Sequence, residues 1–571
     1  GRSADGKFGS NLTVQANATA TGNAGDLTIT TPELLISGGA FVSASTFGSG
    51  RGGNLIVNAS DSVQVIGSST DGDASYLSVQ ANDNTIGNAG NLTISTSDLL
   101  ILDGAFVSAD TYGSGKGGNL TVDASESVQV IGTSANGEFR SFLSADTLGT
   151  GDAGDLTITT SDLLIMDGAL VSTDTYDAGK GGNLIVNASE SVQVIGESAD
   201  VRFASQLTAQ TQGAGNAGNL TISTGQFLVR DGSQVSAGTL GTGEGGDLIV
   251  NASESVQVIG RSADGEFFSG LFASAPNGGI AGDLSIATRQ MTVQDGARIT
   301  VSSPSGQAGN LSIATDSLLL NRGLITAETA ESGAESGANI NLQVSDILLM
   351  GNESLVSATA FDSANGGNIN IDTQFLVALP PEGSNGSDII ANADRGNGGR
   401  INITTQGIFG IEFRDELTPD NDITASSDFG LDGEFILTQP DVDPSRGLAE
   451  LPTDVVDGTQ QIDRRCTSGA AGQDSSFTVT GRGGLPPNPT DPLTGEAVIA
   501  DWVTLNLEEN TDSVTPEANP TSTTPKPLLE AQSWTYSPKG QVVLVAQAPT
   551  VTPQRPWQAS PSCDDFPATA H

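Results

Sequence analysis

From Gly25 to Ile403 the chain repeats one short phrase: a small residue, then Asp or Asn (Arg in the last copy), then two apolar residues separated by one position. The phrase is anchored at Asp26, Asn54, Asn91, Asn119, Asp155, Asn183, Asn219, Asp247, Asp283, Asn310, Asn339, Asn368 and Arg400. The residues one and three places after the anchor are apolar throughout, as in Leu27 and Ile29 or Leu156 and Ile158, and the one between is often Thr, Ser or Asn. Alternation with period two predicts a half-buried strand. Most segments hold two further apolar runs, such as Leu34–Ile36 and Phe41–Ala44, or Ser62–Ile66 and Tyr76–Gln80. Gly and small polar residues punctuate the turns, and no helical period is evident.

The glycines at 25, 90, 154, 218 and 282 recur at steps of 65, 64, 64 and 64, and the intervening anchor divides each long repeat into 28 and 36 or 37 residues. Past Asp283 the anchors step by 27, 29, 29 and 32. Three short strands in each segment, repeated head to tail, predict the coils of a parallel β-helix. Coils stack at about 4.8 Å, so thirteen make a rod roughly 60 Å long with a ladder of Leu, Ile and Val inside. The expected fold class is all-β: a right-handed parallel β-helix (β-solenoid) rod over residues 1–403, with an irregular Pro-rich C-terminal tail.

The composition changes after the coils. Of 23 prolines, 18 lie after residue 400, and Trp502, Trp534 and Trp557 are all in the tail. Residues 404–465, with the run Phe435-Ile436-Leu437, are expected to cap the rod, because an open β-edge invites further pairing. Residues 466–571 read as linker and tail, with a hairpin expected from Ser533–Tyr536 through Pro538-Lys539-Gly540 to Val542–Val545. The words Gly1-Arg2-Ser3-Ala4-Asp5-Gly6 recur as Gly260-Arg261-Ser262-Ala263-Asp264-Gly265, so the sequence is expected to enter in mid-repeat as a piece of a longer chain.

Charge narrows the function. With 67 acids against 22 bases the net charge is −45, which opposes phosphate neutralisation and excludes a nucleic-acid partner. The one histidine, His571, leaves no His-based triad or zinc site. Glycine is 73 of 571 residues, about 13 per cent against a usual ~7, while aromatics are 5 per cent, as a narrow rod core requires.

The coil words Gly-Asn-Leu-Thr-Ile, Val-Gln-Val-Ile-Gly and Gly-Ala-x-Val-Ser are similar to those of the large filamentous-haemagglutinin-like exoproteins of cyanobacteria, of the two-partner secretion class. Three C-terminal phrases carry the resemblance further: Gly407–Arg414, Asn421–Ser427 and Ser476–Pro487. The resemblance implies a protein secreted or held at the outer cell surface. It implies export through an outer-membrane transporter that reads an N-terminal domain outside this sequence, and cell-surface or matrix glycans or proteins as partners. The function expected is a structural or adhesive rod that binds through repeated faces, where many weak contacts give avidity. The alternatives are a polysaccharide lyase or hydrolase on the same scaffold and a passive stalk for another domain.

Candidate chemistry is sparse, and no enzyme, cofactor or metal is expected. Asp103, Asp167, Asp231 and Asp295 each precede Gly at steps of 64. Two coils apart is about 9.6 Å, near the carboxylate separation of an inverting glycosidase. Regular recurrence favours turn chemistry instead, since a turn is needed in every repeat and an active site once. The tandem calcium nonapeptide is missing. Asn58, Asp123, Asn187 and Asn251 recur in register, as a polar ladder or as turn residues. Sequons such as Asn91-Leu92-Thr93 follow from the strand repeat, and Arg464-Arg465 is expected to be a solvated linker pair, the alternative being a processing site. Cys466 and Cys563, in the tail, are expected to form a disulfide, the alternative being two free thiols. Closing a loop of that size is worth about 4–5 kcal/mol in the chain-entropy model.

Overall fold

The computed structural model describes residues 9–82, 85–330 and 338–440, together with strands Ser533–Tyr536 and Val542–Val545. Residues 1–443 and 444–571 are separate compact units. In the first, two parallel sheets of fifteen strands each run the length of the rod. One is built of short strands, from Asn11–Thr13 through Phe41–Ser43 to Asp422–Thr424 and Glu412–Phe413. The other is built of long strands, from Leu27–Ser37 to Glu434–Thr438. The chain alternates between the sheets, one long and one short strand per coil, which is the parallel β-helix. All thirteen anchors open or immediately precede a strand of the long sheet.

Each coil holds two strands where three were expected. The first two apolar runs merge into one strand of 10–13 residues, apart from the coil in which Leu284–Ala287 and Gln290–Gln294 stay separate. The bend is a register shift, as between Thr160 and Asp162, where the shorter strand pairs with longer neighbours. The corner residue explains how the ladder survives. Shorter strands place Thr there, whose hydroxyl donates to a carbonyl two residues on, as from Thr160 to Asp162 (3.2 Å) and Thr315 to Ser317 (3.1 Å). Longer neighbours place Ala59, Ala124, Ala188 or Ala252 at the same corner.

The inward ladder is the core. Ile158 stacks between Val122 and Val186 and has no exposed surface. On the short sheet the inward positions are Val42 and Ala44 and their equivalents, which join the same continuous core apart from Leu12 on the first rung, which is exposed, and Thr173, whose hydroxyl donates to Gly182 O (2.8 Å). Glycine before the anchor is a packing requirement: a Cβ on Gly154 would collide with the carbonyl oxygen of Gly118 one coil below.

Polar ladders run along the outside. The anchor Oδ1 accepts the backbone N–H of the next anchor, for example Asp26 from Asn54 (2.8 Å), Asn54 from Asn91 (3.0 Å) and Asn91 from Asn119 (3.0 Å). The ladder therefore passes through the anchors. Asn58, Asp123, Asn187 and Asn251 sit mid-strand and face solvent, so they are neither ladder nor turn. The extra residues of the longer segments form small hairpin turns, closed by antiparallel bridges Ser68–Ala74, Thr133–Arg140, Glu197–Ala204 and Arg261–Phe268. Rungs continue past 403: Arg400–Phe409 pairs with Glu434–Thr438 inside the segment expected to cap the rod. In the second unit, Ser533–Tyr536 and Val542–Val545 pair antiparallel.

Candidate functional site

Alternation on the short strands sends every second residue outward, and three outward columns result. The first reads Phe41, Tyr76, Phe106, Phe142, Leu170, Gln206, Gln234, Gly270, Arg298, Leu324, Leu355 along successive rungs. The second is hydroxyl-rich, with Ser108, Ser144 and Ser172 among its members. The third carries Ser45, Gln80, Asp110, Asp146, Asp174 and Gln210. These residues point away from the core, yet Ser108, Ser144 and Ser172 are 0% exposed and Asp110, Asp146 and Asp174 only 3–6%. The outer face of the short sheet is therefore a recessed trough. Along one edge lie turn residues such as Leu240, Pro276 and Pro304. Along the other, hairpin residues lean on the first column: Arg140 donates to Gln206 Oε1 (2.9 Å), and Arg298 stacks on Phe268, 3.4 Å from its centroid.

At the N-terminal end of the trough the rings of Phe41, Tyr76, Phe106 and Phe142 stack at 4.6–4.9 Å, within 5–11° of parallel. That is the rung spacing, and each ring covers its neighbour's face. Beside them lie the three carboxyls. Asp110 Oδ1 accepts the Ser144 hydroxyl (2.8 Å) and the Asp146 N–H (2.9 Å). Asp146 accepts the Ser172 hydroxyl (2.9 Å) and the Asp174 N–H (2.7 Å). Asp174 accepts the Thr208 hydroxyl (3.0 Å) and the Gln210 N–H (2.8 Å). Burial pushes Asp110 and Asp174 up to about 6, against the hydrogen bonds that favour the ionised form. Burial also raises Asp146 well above the ordinary carboxyl range, and the charges of Asp110 and Asp174 add to it. Arg140, lowered to about 10 by its own burial, is fixed by four bonds, to Gly168 O, Ala169 O, Ala204 O and Gln206 Oε1. The Tyr176 hydroxyl is raised above its usual range by burial and by Asp146.

Further along the rod the trough opens into a cavity of about 530 Å³. Gln206, Gln210, Gln234, Phe272, Arg298 and Glu328 are among its lining. Burial raises the Glu328 carboxyl.

None of these residues belongs to the acidic series singled out by spacing. Asp103, Asp167, Asp231 and Asp295 all have left-handed backbone, φ 56–58°, and each is followed by a glycine of positive φ. They shape the turn before the short strand. Asn91 serves the anchor ladder. Among the described residues no group of three or more His, Cys, Asp or Glu side chains is arranged to hold a metal ion. Cys466, Cys563 and Arg464-Arg465 lie outside the described residues. The trough carboxyls had a signal of their own: the word Ser-x-Asp-Thr occurs in three successive coils, at Ser108, Ser144 and Ser172, and the coils on either side replace its Asp by Gln80 and Gln210.

No protein-family model, curated protein or solved structure matches this chain. Its chemistry rests on the trough.

Proposed function

We propose that this chain is a structural and adhesive rod that acts outside the cell and binds extended glycans along the trough, by contact and not by turnover. The supporting observation is the recessed axial face itself. Its rungs recur at one spacing over successive coils, and where it opens they present Gln206, Gln210, Gln234, Arg298 and Glu328, so a polymer laid along the rod meets several weak contacts, and avidity accumulates. Secretion by the two-partner route, through a transporter reading an N-terminal domain outside this sequence, belongs to the same reading.

One observation favours the competing reading of a polysaccharide hydrolase or lyase: Asp110, Asp146 and Asp174 are carboxyls of raised proton affinity lying near Arg140. Against it, each of the three already accepts bonds from the rung above, so its oxygens are engaged by the fold. Adsorption to a panel of insoluble polysaccharides, scored together with the release of reducing or unsaturated ends, separates the two. Adsorption without release is expected. Release that Asp146→Asn abolishes would replace the binding reading with the enzymatic one, and absence of adsorption to any polysaccharide would remove the glycan assignment.

A further inference from the structure

The repeat breaks twice on one rung, and the two breaks are coupled. In the strand Gly270–Phe272, Gly270 stands in the first outward column, where Phe, Tyr, Leu or Gln stands on the rungs before it. Phe272 stands in the second, where the flanking rungs carry Ser236 and Thr300. A Cβ on Gly270 would collide with the ring of Phe272, so the ring lies over the glycine. Glycine inside a strand weakens it, and its usual reason is a close approach. Here the close approach lays an aromatic ring along the floor of the 530 Å³ cavity, a volume in the range of small-ligand sites. Phe41, Tyr76, Phe106 and Phe142 cover one another's faces, whereas Phe272 is the one ring in the lining of this cavity.

The groups around that ring select the ligand. Gln210 offers an amide donor and an acceptor, the complement of a hydroxyl, while Gln206, whose Oε1 accepts from Arg140 (2.9 Å) and whose Nε2 donates to Gln234 Oε1 (3.2 Å), and Gln234 add amide N–H donors. Arg298 and Glu328 are the two charged members of the lining and cancel. Arg298 Nε is buried and has no acceptor among the described residues, although its guanidinium is stacked on Phe268, which a second guanidinium, Arg261, covers at 4.5 Å. A polyanion is disfavoured, since the cavity has no net charge and the chain carries −45.

We infer that this cavity is a subsite for uncharged sugar units of a polysaccharide, one ring packing its C–H face on Phe272 while its hydroxyls pair with the glutamine amides, Arg298 and Glu328. The inference rests on the glycan-binding reading and narrows it to neutral chains and to this stretch of the rod. The rung spacing of about 4.8 Å is close to the length of one pyranose unit, so a chain lying along the axis places successive units on successive rungs.

The test is calorimetric titration of the full chain with uncharged hexaoses (gluco-, xylo-, manno- and chito-series), with hexagalacturonate and a heparin hexasaccharide as charged comparators. Phe272→Ser restores the residue type of the neighbouring rungs, and Arg298→Gln keeps a donor while removing charge; an unchanged far-ultraviolet spectrum and melting curve certify each fold. At least one neutral hexaose should bind, with little dependence on salt, and each variant should weaken it about tenfold or more. Neutral binding that both variants leave unchanged overturns the subsite while sparing the glycan-binding rod. Binding of charged comparators alone overturns the neutral assignment. If no hexaose binds but the chain still adsorbs to polysaccharides, the subsite fails and the rod reading stands. If it adsorbs to none, both fail.

Discussion

Replacing the trough carboxyls by asparagine should stabilise the rod at neutral pH, and the protein contains its own control. Asn392 occupies the same column as Asp110, Asp146 and Asp174, and its Oδ1 accepts the Thr424 hydroxyl (3.1 Å) and the Ser426 N–H (2.9 Å). Those are the partners, one rung on, that Asp110 finds in Ser144 and Asp146. An amide therefore does the carboxylate's structural work without its charge. Burial lifts Asp110 and Asp174 from 3.8 to about 6. That displacement corresponds to about 3 kcal/mol per group at a pH where both folded and unfolded forms are ionised. Between about pH 4 and 6 the folded rungs hold protons that the unfolded chain has released, so stability falls as pH rises through that window and stays low above it. In a solenoid each rung depends mainly on its neighbours, so the effect is local and hydrogen–deuterium exchange is the suitable assay. At about pH 8, Asp174→Asn should slow exchange in peptides spanning 170–176 by up to about a hundredfold, and near pH 4 the variant and the parent should converge. Faster exchange at about pH 8, or a difference that does not shrink on acidification, would refute the argument that these carboxyls are held at an electrostatic cost.

Three further outcomes are expected. Ile158→Asp sets an unpaired carboxylate between Val122 and Val186 in the core and should lower stability by several kcal/mol, as an order of magnitude; an unchanged melting curve would contradict its place in the core. Asp167, at φ 56°, should tolerate Asn, which accepts left-handed backbone, whereas Asp167→Val should cost about 1–2 kcal/mol in denaturant titration; equal losses would show that the carboxylate and not the backbone matters there. Phe106→Ala removes two ring contacts, at 4.9 and 4.6 Å, and should cost about 1–3 kcal/mol beyond the area lost. A loss confined to the area term in a double-mutant cycle with Phe142 would show that the stack adds nothing.

The coils were legible because inward positions away from the corners are apolar almost throughout and strands alternate with period two, so Leu156 and Ile158 announce both the strand and its face. The bend was less so. Thr160 and Ala188 occupy equivalent corners, and only the paired ladder shows that a hydroxyl returning to its own chain replaces one residue of backbone. The trough was missed for a different reason. Spacing draws the eye to what recurs, and Asp103, Asp167, Asp231 and Asp295 recur because every second coil needs the same left-handed turn. Asp110, Asp146 and Asp174, and the pair Gly270 and Phe272, are places where the repeat departs from itself. Whether such a departure lies on a recessed outer face depends on how turns from different coils flank the strands, which no single coil encodes.

Up to Asp283, the hairpin turns between Ser68 and Ala74, Thr133 and Arg140, Glu197 and Ala204, and Arg261 and Phe268 arise on every second coil. The unit of construction is therefore a pair of coils, one plain and one bearing a hairpin, and Gly90, Gly154, Gly218 and Gly282 mark its seams at 64-residue intervals. Either side of each seam the chain meets an equivalent neighbour: small residue, anchor, Leu. Recombination between two seams would delete or add a whole pair while leaving the glycine contacts, the anchor ladder and the core stack continuous across the join. Slippage between the first two of these seams would lengthen or shorten the rod on the N-terminal side of the cavity alone, moving the cavity along the rod without redesigning it.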